Sequence, residues 1–278
     1  MIALVATLAA FGLVIGSFLN VVVYRVPNGL SIVSPSSACP RCGAAIKPYD
    51  NIPVLSWLVL RGKCRQCRTA ISTRYPLVEL STGLAFAVVS LWAIDTRFPV
   101  DVWAASAAEL VGGSLILVAY LYLAAVSIAL ALIDLDVHRL PNSIVLPGYA
   151  VGGLLLGAAS IVDSDYAALL GGAIGLAVLW TAYFLMAFLY PGGMGLGDVK
   201  LAGVLGLFLG YIGWGEFIIG SFAAFLLGGI FGIGLLISRR ASRKSGIPFG
   251  PWMLVGAWIG IFFGDAIWSS YLSLIGVR

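Results

Sequence analysis

Eight long apolar runs, separated only by short polar segments, leave this chain few ways to fold. They cover roughly residues 3–23, 77–94, 104–133, 143–161, 167–190, 199–214, 217–238 and 250–275. Most are long enough to cross about 30 Å of hydrocarbon as helices, and a helix satisfies its own backbone polar groups there. The third is long enough to tilt or to begin in the interface; the sixth is short and Gly-rich enough to be a partial span. Only 10% of residues are charged and 61% are hydrophobic, whereas a soluble domain carries about 25% charged residues. The expected fold class is an all-α polytopic membrane protein of about eight transmembrane helices, with a small cytoplasmic module between helices 1 and 2.

Basic residues orient these spans. Residues 1–23 contain no Lys or Arg, and Arg25 follows the run. That order reads as a retained first helix rather than a cleavable signal peptide, with the N-terminus outside. The inside segments are then 24–76, 134–142, 191–200 and 239–249, and they hold 14 of the 16 Lys and Arg residues. Only Arg97 and Arg278 fall outside, together with Asp95, Asp101, Asp163, Asp165 and Glu216. The reverse orientation would violate the positive-inside rule.

All four cysteines lie in the first inside segment, as Cys39-Pro-Arg-Cys42 and Cys64-Arg-Gln-Cys67 with 21 residues between the pairs. Two such knuckles read as a structural zinc site of the ribbon type. The competing readings are two disulfides or a redox dithiol; a reducing cytoplasm disfavours stable disulfides. Gly43 and Arg68 follow the knuckles, a turn chemistry that suits backbone N–H donation to thiolates. Eight basic residues face one acid, Asp50, in this segment. Even with about −2 from a Zn(Cys)4 centre the module stays near +5, which favours anionic lipid headgroups.

Two acids sit where apolar runs meet polar segments: Asp134 in Ile133-Asp134-Leu135-Asp136 and Asp198 in Gly195-Leu196-Gly197-Asp198. Such acids are expensive and are functional candidates. If they converge they can share a proton. Both fall at the cytoplasmic edge of a topology drawn without using them. Asp134 and Asp136 point roughly 200° apart on a helix, so only one of them can readily face Asp198. Gly195 and Gly197 permit close backbone approach and unusual φ/ψ beside Asp198. On local grounds alone, Asp198 reads equally well as a helix N-cap.

An ordered set of motifs resembles the bacterial type IV prepilin peptidases, membrane aspartyl proteases of the GxGD type that often N-methylate their product. Gly16-Ser-Phe-Leu-Asn20-Val-Val-Val-Tyr-Arg25-Val-Pro27 is similar to the family's N-terminal motif. The knuckles follow, with Asn51-Ile-Pro-Val-Leu-Ser-Trp57 and Arg61-Gly-Lys-Cys64. Next come Ile71-Ser-Thr-Arg-Tyr-Pro76-Leu-Val-Glu79, Ile133-Asp134-Leu-Asp136 with Leu140-Pro141-Asn142, Gly193-Met-Gly195-Leu-Gly197-Asp198-Val-Lys200, and Ile247-Pro-Phe-Gly-Pro251. The resemblance implies that Asp134, seven positions before Pro141, and Asp198 are the catalytic acids. It leaves Asp136 as a solvated acid, a partner for Arg139 or a substrate contact. It implies a zinc-bearing, methyltransferase-associated region at 1–76, with the zinc held by Cys39, Cys42, Cys64 and Cys67, and a protease domain at 77–278. It also implies methylation from S-adenosylmethionine, for which no glycine-rich nucleotide loop is visible. The expected partners are prepilin or pseudopilin precursor helices and membrane lipids, with no nucleic acid, in the inner membrane. Many relatives have His directly after the second Asp, where this chain has Val137-His138, and Asp after the Pro, where it has Asn142.

Other residues carry weaker expectations. Lys200 either stabilises charge, pairing with a nearby acid, or snorkels at the interface. His138 is the only histidine, which leaves no His-based triad or histidine-rich metal site. Glu79 lies near the cytoplasmic interface and fits the methyl-transfer half; Glu109 lies near the outer surface. Trp57, Trp103, Tyr211, Trp214 and Trp268 read as interfacial anchors. The rival functions are a proton-coupled transporter using the two aspartates and a non-enzymatic pilus-assembly scaffold.

Overall fold

A computed structural model describes residues 1–99, 101, 105–190, 193–238 and 248–277. The basic residues Arg239, Arg240, Arg243 and Lys244, together with Trp103, Ile247 and Arg278, lie outside the described residues. Among the described residues the chain is helical with two isolated β-bridges: α1 (Ile2–Arg25), α2 (Leu55–Val59), α3 (Arg74–Arg97), α4 (Ala107–Val137), α5 (Asn142–Asp163), α6 (Tyr166–Leu189), α7 (Leu196–Ile212), α8 (Trp214–Ile237) and α9 (Gly250–Leu274). Seven are long and apolar enough to cross a membrane. The apolar runs therefore mark the long helices to within a few residues at each end.

The exception to a plain spanning role is α7. It has 17 residues, and twelve of them, Val199 and Leu201–Tyr211, are buried. Its short length, read from the sequence as that of a partial span, belongs to a helix enclosed by its neighbours. Glycines allow that enclosure. A Cβ on Gly171 would lie 2.5 Å from the Gly210 carbonyl oxygen of α7, and one on Gly175 would lie 3.1 Å from the Gly210 Cα. Helices in lipid gain by such close backbone approach, since apolar burial alone favours no partner there.

Two compact units are present: residues 1–100 with 120–129, and residues 101–119 with 130–278. In the first, α1 packs on α3 through Gly12, Gly16 and Gly83; a Cβ on Gly16 would meet the Glu79 Cα at 2.7 Å. That seam groups α3 with the cysteine loop. Asn20 ties the same helices by donating to the Gly16 and Tyr75 carbonyls. In the second unit, α6 packs on α7 and α8 on α9, with α5 also against α7. Gly256 and Gly260 bring α9 onto α8 in the same manner, a Cβ at either lying 2.5 Å from backbone atoms of Ala224 or Glu216.

The aromatic and acidic residues singled out in the sequence occupy varied places, and one of them differs from its expectation. Tyr211 is buried on α7, hydrogen-bonded to Ser160 of α5 at 3.2 Å, and is not an interfacial anchor. A phenol needs a partner when buried, and Ser160 supplies it. Trp57 belongs to the cysteine loop, where its indole N–H donates to the Ile71 carbonyl and its ring covers Gly62. Trp214 is half exposed at the start of α8, and Trp268 packs on Gly215. Glu109 forms a capping box with Ser106 at the start of α4.

Candidate active site

Asp134 lies in the last turn of α4. His138 ends that helix in the left-handed conformation (φ 51°) and donates its N–H to the Asp134 carbonyl at 2.9 Å. The reversal leaves residues 135–139 exposed, Asp136 among them, while Asp134 is 5% exposed. The two-residue offset thus divides the acids as helical geometry requires: Asp134 faces the interior and Asp136 faces away. Asp134 Oδ2 accepts the Gly250 N–H at 3.1 Å. Gly250 opens α9 with Pro251 behind it, and the first amides of a helix have no partner within it. One of them is therefore spent on a carboxylate 116 positions earlier in the chain.

Asp198 occupies the third position of α7. Its Oδ2 accepts the Gly195 N–H at 3.2 Å, the reach-back half of a capping box, with Gly195 as the N-cap. Asp198 is thus not the N-cap itself. Gly195 has φ −78° and ψ 146°, an extended conformation open to any residue, so the expected unusual φ/ψ is absent. The close approach is present: a Cβ on Gly195 would be 3.2 Å from Asp198 Oδ2, and one on Gly197 would be 3.0 Å from the Leu140 Cβ.

Leu140 touches the surroundings of both acids. A Cβ on Gly250 would lie 3.2 Å from Leu140 Cδ2 and 2.8 Å from Asp134 Oδ2. Tyr183 of α6 also lies within the electrostatic reach of Asp198. It packs with Phe225 and Phe249, at centroid distances of 5.4 and 6.3 Å. Phe249 immediately precedes Gly250, so these rings pack next to the residue whose amide holds Asp134.

Among the described residues, Lys200 pairs with no acid. Its ammonium donates to the Asn142 side-chain carbonyl at 3.0 Å, and its backbone carbonyl accepts the Tyr149 hydroxyl at 2.6 Å. Lys200 thereby fastens the start of α7 to α5. Sequence reasoning passed over Gly250, Leu140 and Tyr183 as site residues. A Gly-Pro pair opening a helix is a signal for an available amide; nothing local marks Tyr183.

In the cysteine loop the four Sγ atoms lie within 4.8 Å of one another, with Cys39 and Cys67 3.7 Å apart. Sulfurs around a tetrahedral zinc are separated by about 3.8 Å, given Zn–S bonds of about 2.3 Å, so the donor set fits that ion. The two knuckles repeat one another. Cys39 pairs with Ala44 as Cys64 does with Thr69, and Gly43 and Arg68 turn left-handed at φ 69° and 59°. The Gly43 and Arg68 amides donate to the Cys39 and Cys64 carbonyls rather than to sulfur. The Cys42 and Arg41 amides instead hold the Cys39 thiol down to about 6. The Thr69 amide pulls Cys67 down, but burial and the thiols of Cys42, Cys64 and Cys39 outweigh it and push Cys67 up to about 11. Four thiolates this close need a cation to ionise together. Arg65 closes the module by chelating Asp50. Glu79, 8% exposed, accepts the Val54 N–H at 2.7 Å and pins the loop to α3.

Comparisons with known proteins point to one family. Residues 10–93 match the bacterial peptidase A24 N-terminal domain, and residues 121–233 match the type IV leader peptidase family. A prepilin leader peptidase/N-methyltransferase of Aeromonas salmonicida (strain A449) is 38% identical over 95% of this chain and 92% of its own length. Proteins of the same name from Pseudomonas aeruginosa and Neisseria gonorrhoeae are 36% and 32% identical, covering 96% and 94% of this chain and 93% and 91% of theirs. No solved structure gave a significant match.

Proposed function

The chain belongs to the type IV leader peptidase family, and on that premise we propose that it removes the short basic leader from type IV prepilins or related pseudopilins with Asp134 and Asp198 as its catalytic pair. The observation that supports this reading is that each carboxylate sits at a helix end and holds one backbone amide, from Gly250 and Gly195, with Leu140 against both helix starts. The transporter alternative finds no support among the relatives.

One carboxylate, ionised, takes a proton from water as the water attacks the scissile carbonyl. The other, protonated, donates a hydrogen bond to that carbonyl oxygen and stabilises the negative charge that develops. Collapse of the tetrahedral intermediate breaks the C–N bond, and the proton gained from water passes to the leaving amine. The apparent pKa values of such a pair belong to both residues together. Asp136 and Lys200 are auxiliary: Asp136 is exposed where a basic leader would approach, and Lys200 holds the start of α7 through Asn142. Gly195 and Gly197 keep the space beside Asp198 open.

The distribution of Lys and Arg supports a multi-pass arrangement in the bacterial inner membrane, N-terminus outside, with the cysteine loop and the aspartates cytoplasmic. Residues 1–76 form the methyltransferase-associated region and 77–278 the protease domain. Cys39, Cys42, Cys64 and Cys67 would hold a structural zinc, whose four thiolate bonds leave no open position for catalysis. S-adenosylmethionine is the second substrate; its methyl group passes from sulfonium to the new N-terminal amine, which loses a proton.

Full-length protein incubated with a prepilin in detergent tests both activities by mass spectrometry, which reads leader loss and one added methylene. Asp134→Asn and Asp198→Asn should each abolish leader loss while the protein stays membrane-inserted. Cleavage by either variant at the wild-type rate would defeat the assignment.

A further inference from the structure

Leu140 lies against the starts of α7 and α9, which carry or hold the two aspartates, in a way that neither its residue type nor its place in a turn requires. The chain leaves α4 at His138, and Pro141 serves as the extended N-cap of α5 (φ −64°, ψ 130°). A residue before proline is held extended, so Leu140 has little freedom to turn away. Residues 135–139 are exposed, and Leu140 is the first to turn back inward.

There it meets two helix starts. Its Cβ would be 3.0 Å from a Cβ at Gly197, immediately before Asp198. Its Cδ2 would be 3.2 Å from a Cβ at Gly250, whose N–H is donated to Asp134. Glycine at both positions leaves room for the leucine side chain. Leu140 has no polar atom to offer to chemistry, yet it touches the backbone on which each carboxylate depends.

We infer that Leu140 is a positioning residue: its side chain spaces the start of α7 from the start of α9 and so fixes the separation of Asp134 and Asp198, while keeping water from between them. The inference rests on these two acids being the catalytic pair. Close-packed interiors transmit a missing methylene as a shift of their neighbours, and a misplacement of about 1 Å at a reacting group can cost roughly a hundredfold in rate. Water entering between the acids would also screen one from the other, and a pair that shares a proton less strongly is active over a narrower pH range.

The test is a set of pH–rate profiles for leader removal by the full-length protein in detergent, with a peptide carrying a basic leader and an apolar helix. Leu140→Ala should lower the maximal rate by roughly ten- to a hundredfold and narrow the bell; Leu140→Val should do both to a smaller degree. Leu140→Met conserves volume and should retain rate and width. Among the described residues, the other titratable or charged groups near the pair are Asp136, His138 and Arg139 at the end of α4, Tyr183 on α6 and Lys200 on α7, and all are common to every variant. A smaller folded fraction lowers the bell without changing its width. A Leu140→Ala or Leu140→Val bell of wild-type width overturns the inference, as does an inactive Leu140→Val, since a spacer shortened by one carbon is not abolished. Wild-type cleavage by Asp134→Asn or Asp198→Asn would instead remove the aspartate reading and this inference with it.

Discussion

Replacing Gly250 with alanine puts one methyl group where the structure has no room for it. The added Cβ would lie 2.8 Å from Asp134 Oδ2, 3.2 Å from Leu140 Cδ2 and 3.4 Å from Asp134 Cγ. Restoring ordinary contact of 3.4 Å to the nearest oxygen requires a shift of about 0.6 Å. The backbone has little scope to supply it, because Pro251 follows and fixes the next φ. The carboxylate must therefore move, and it moves off the amide that holds it at 3.1 Å. A hydrogen bond to a charged acceptor contributes about 1.5–3 kcal/mol. Its loss from a group acting in the transition state corresponds to a rate decrease of roughly ten- to a hundredfold. The measurement is kcat and KM for leader removal, with thermal unfolding in detergent as the control for folding. The expected result is a fall in kcat with KM and Tm close to wild type, since the substrate's apolar helix is not gripped by this atom. Wild-type kcat in Gly250→Ala would refute the claim that the Gly250 amide sets the Asp134 carboxylate.

Gly210→Val drives a branched side chain into the Gly171 backbone of α6, and overpacking of this kind costs about 1–3 kcal/mol; a Tm in detergent equal to wild type would contradict the α6–α7 seam. Asn142→Asp turns the Lys200 contact into an ion pair, which should raise stability by no more than about 1 kcal/mol because the pair is exposed, an increment seen as a small rise in Tm at low salt that salt removes. The hydrogen bonds from Arg65 hold the Asp50 carboxyl below the usual carboxylate range. A depressed acid contributes stability above its unfolded pKa, near 3.9, and loses it as pH falls through the folded value. Asp50→Asn should therefore lower Tm in detergent near neutrality, with the difference shrinking in acid; a difference that persists at low pH would count against the Asp50–Arg65 clasp. The magnitude should fall as ionic strength rises.

Helix positions were legible because an apolar run in lipid has one backbone solution, and the long helices begin and end within a few residues of those runs. That only one of Asp134 and Asp136 would face the interior was legible too, since residues two apart on a helix point apart; the resemblance, not the geometry, chose Asp134. Burial was not. Hydropathy scores the enclosed α7 like a lipid-facing helix, although Gly206 and Gly210 on α7, with Gly171 and Gly175 on α6, record its enclosure in their spacing. Tyr211 looked interfacial for the same reason: its partner Ser160 lies 51 residues away. The expectation of unusual φ/ψ at Gly195 failed because an extended N-cap with a reach-back acid requires none, and the glycine serves by its missing Cβ. The Gly250–Asp134 contact spans 116 residues, and no local pattern encodes such a pairing.

The polar grip on both aspartates comes from peptide N–H groups, at Gly195 and Gly250, and this alters how the molecule would look to genetics. A side-chain scan removes nothing that these positions contribute, since neither has a side chain to delete and every replacement but proline keeps its N–H. Substitutions there would register as crowding, graded by bulk rather than by polarity, and the donors themselves would go unseen. Backbone chemistry, such as an ester in place of the Gly250 amide, is the change that would expose them. A map of tolerated residues around such a site records its empty space more faithfully than its hydrogen bonds.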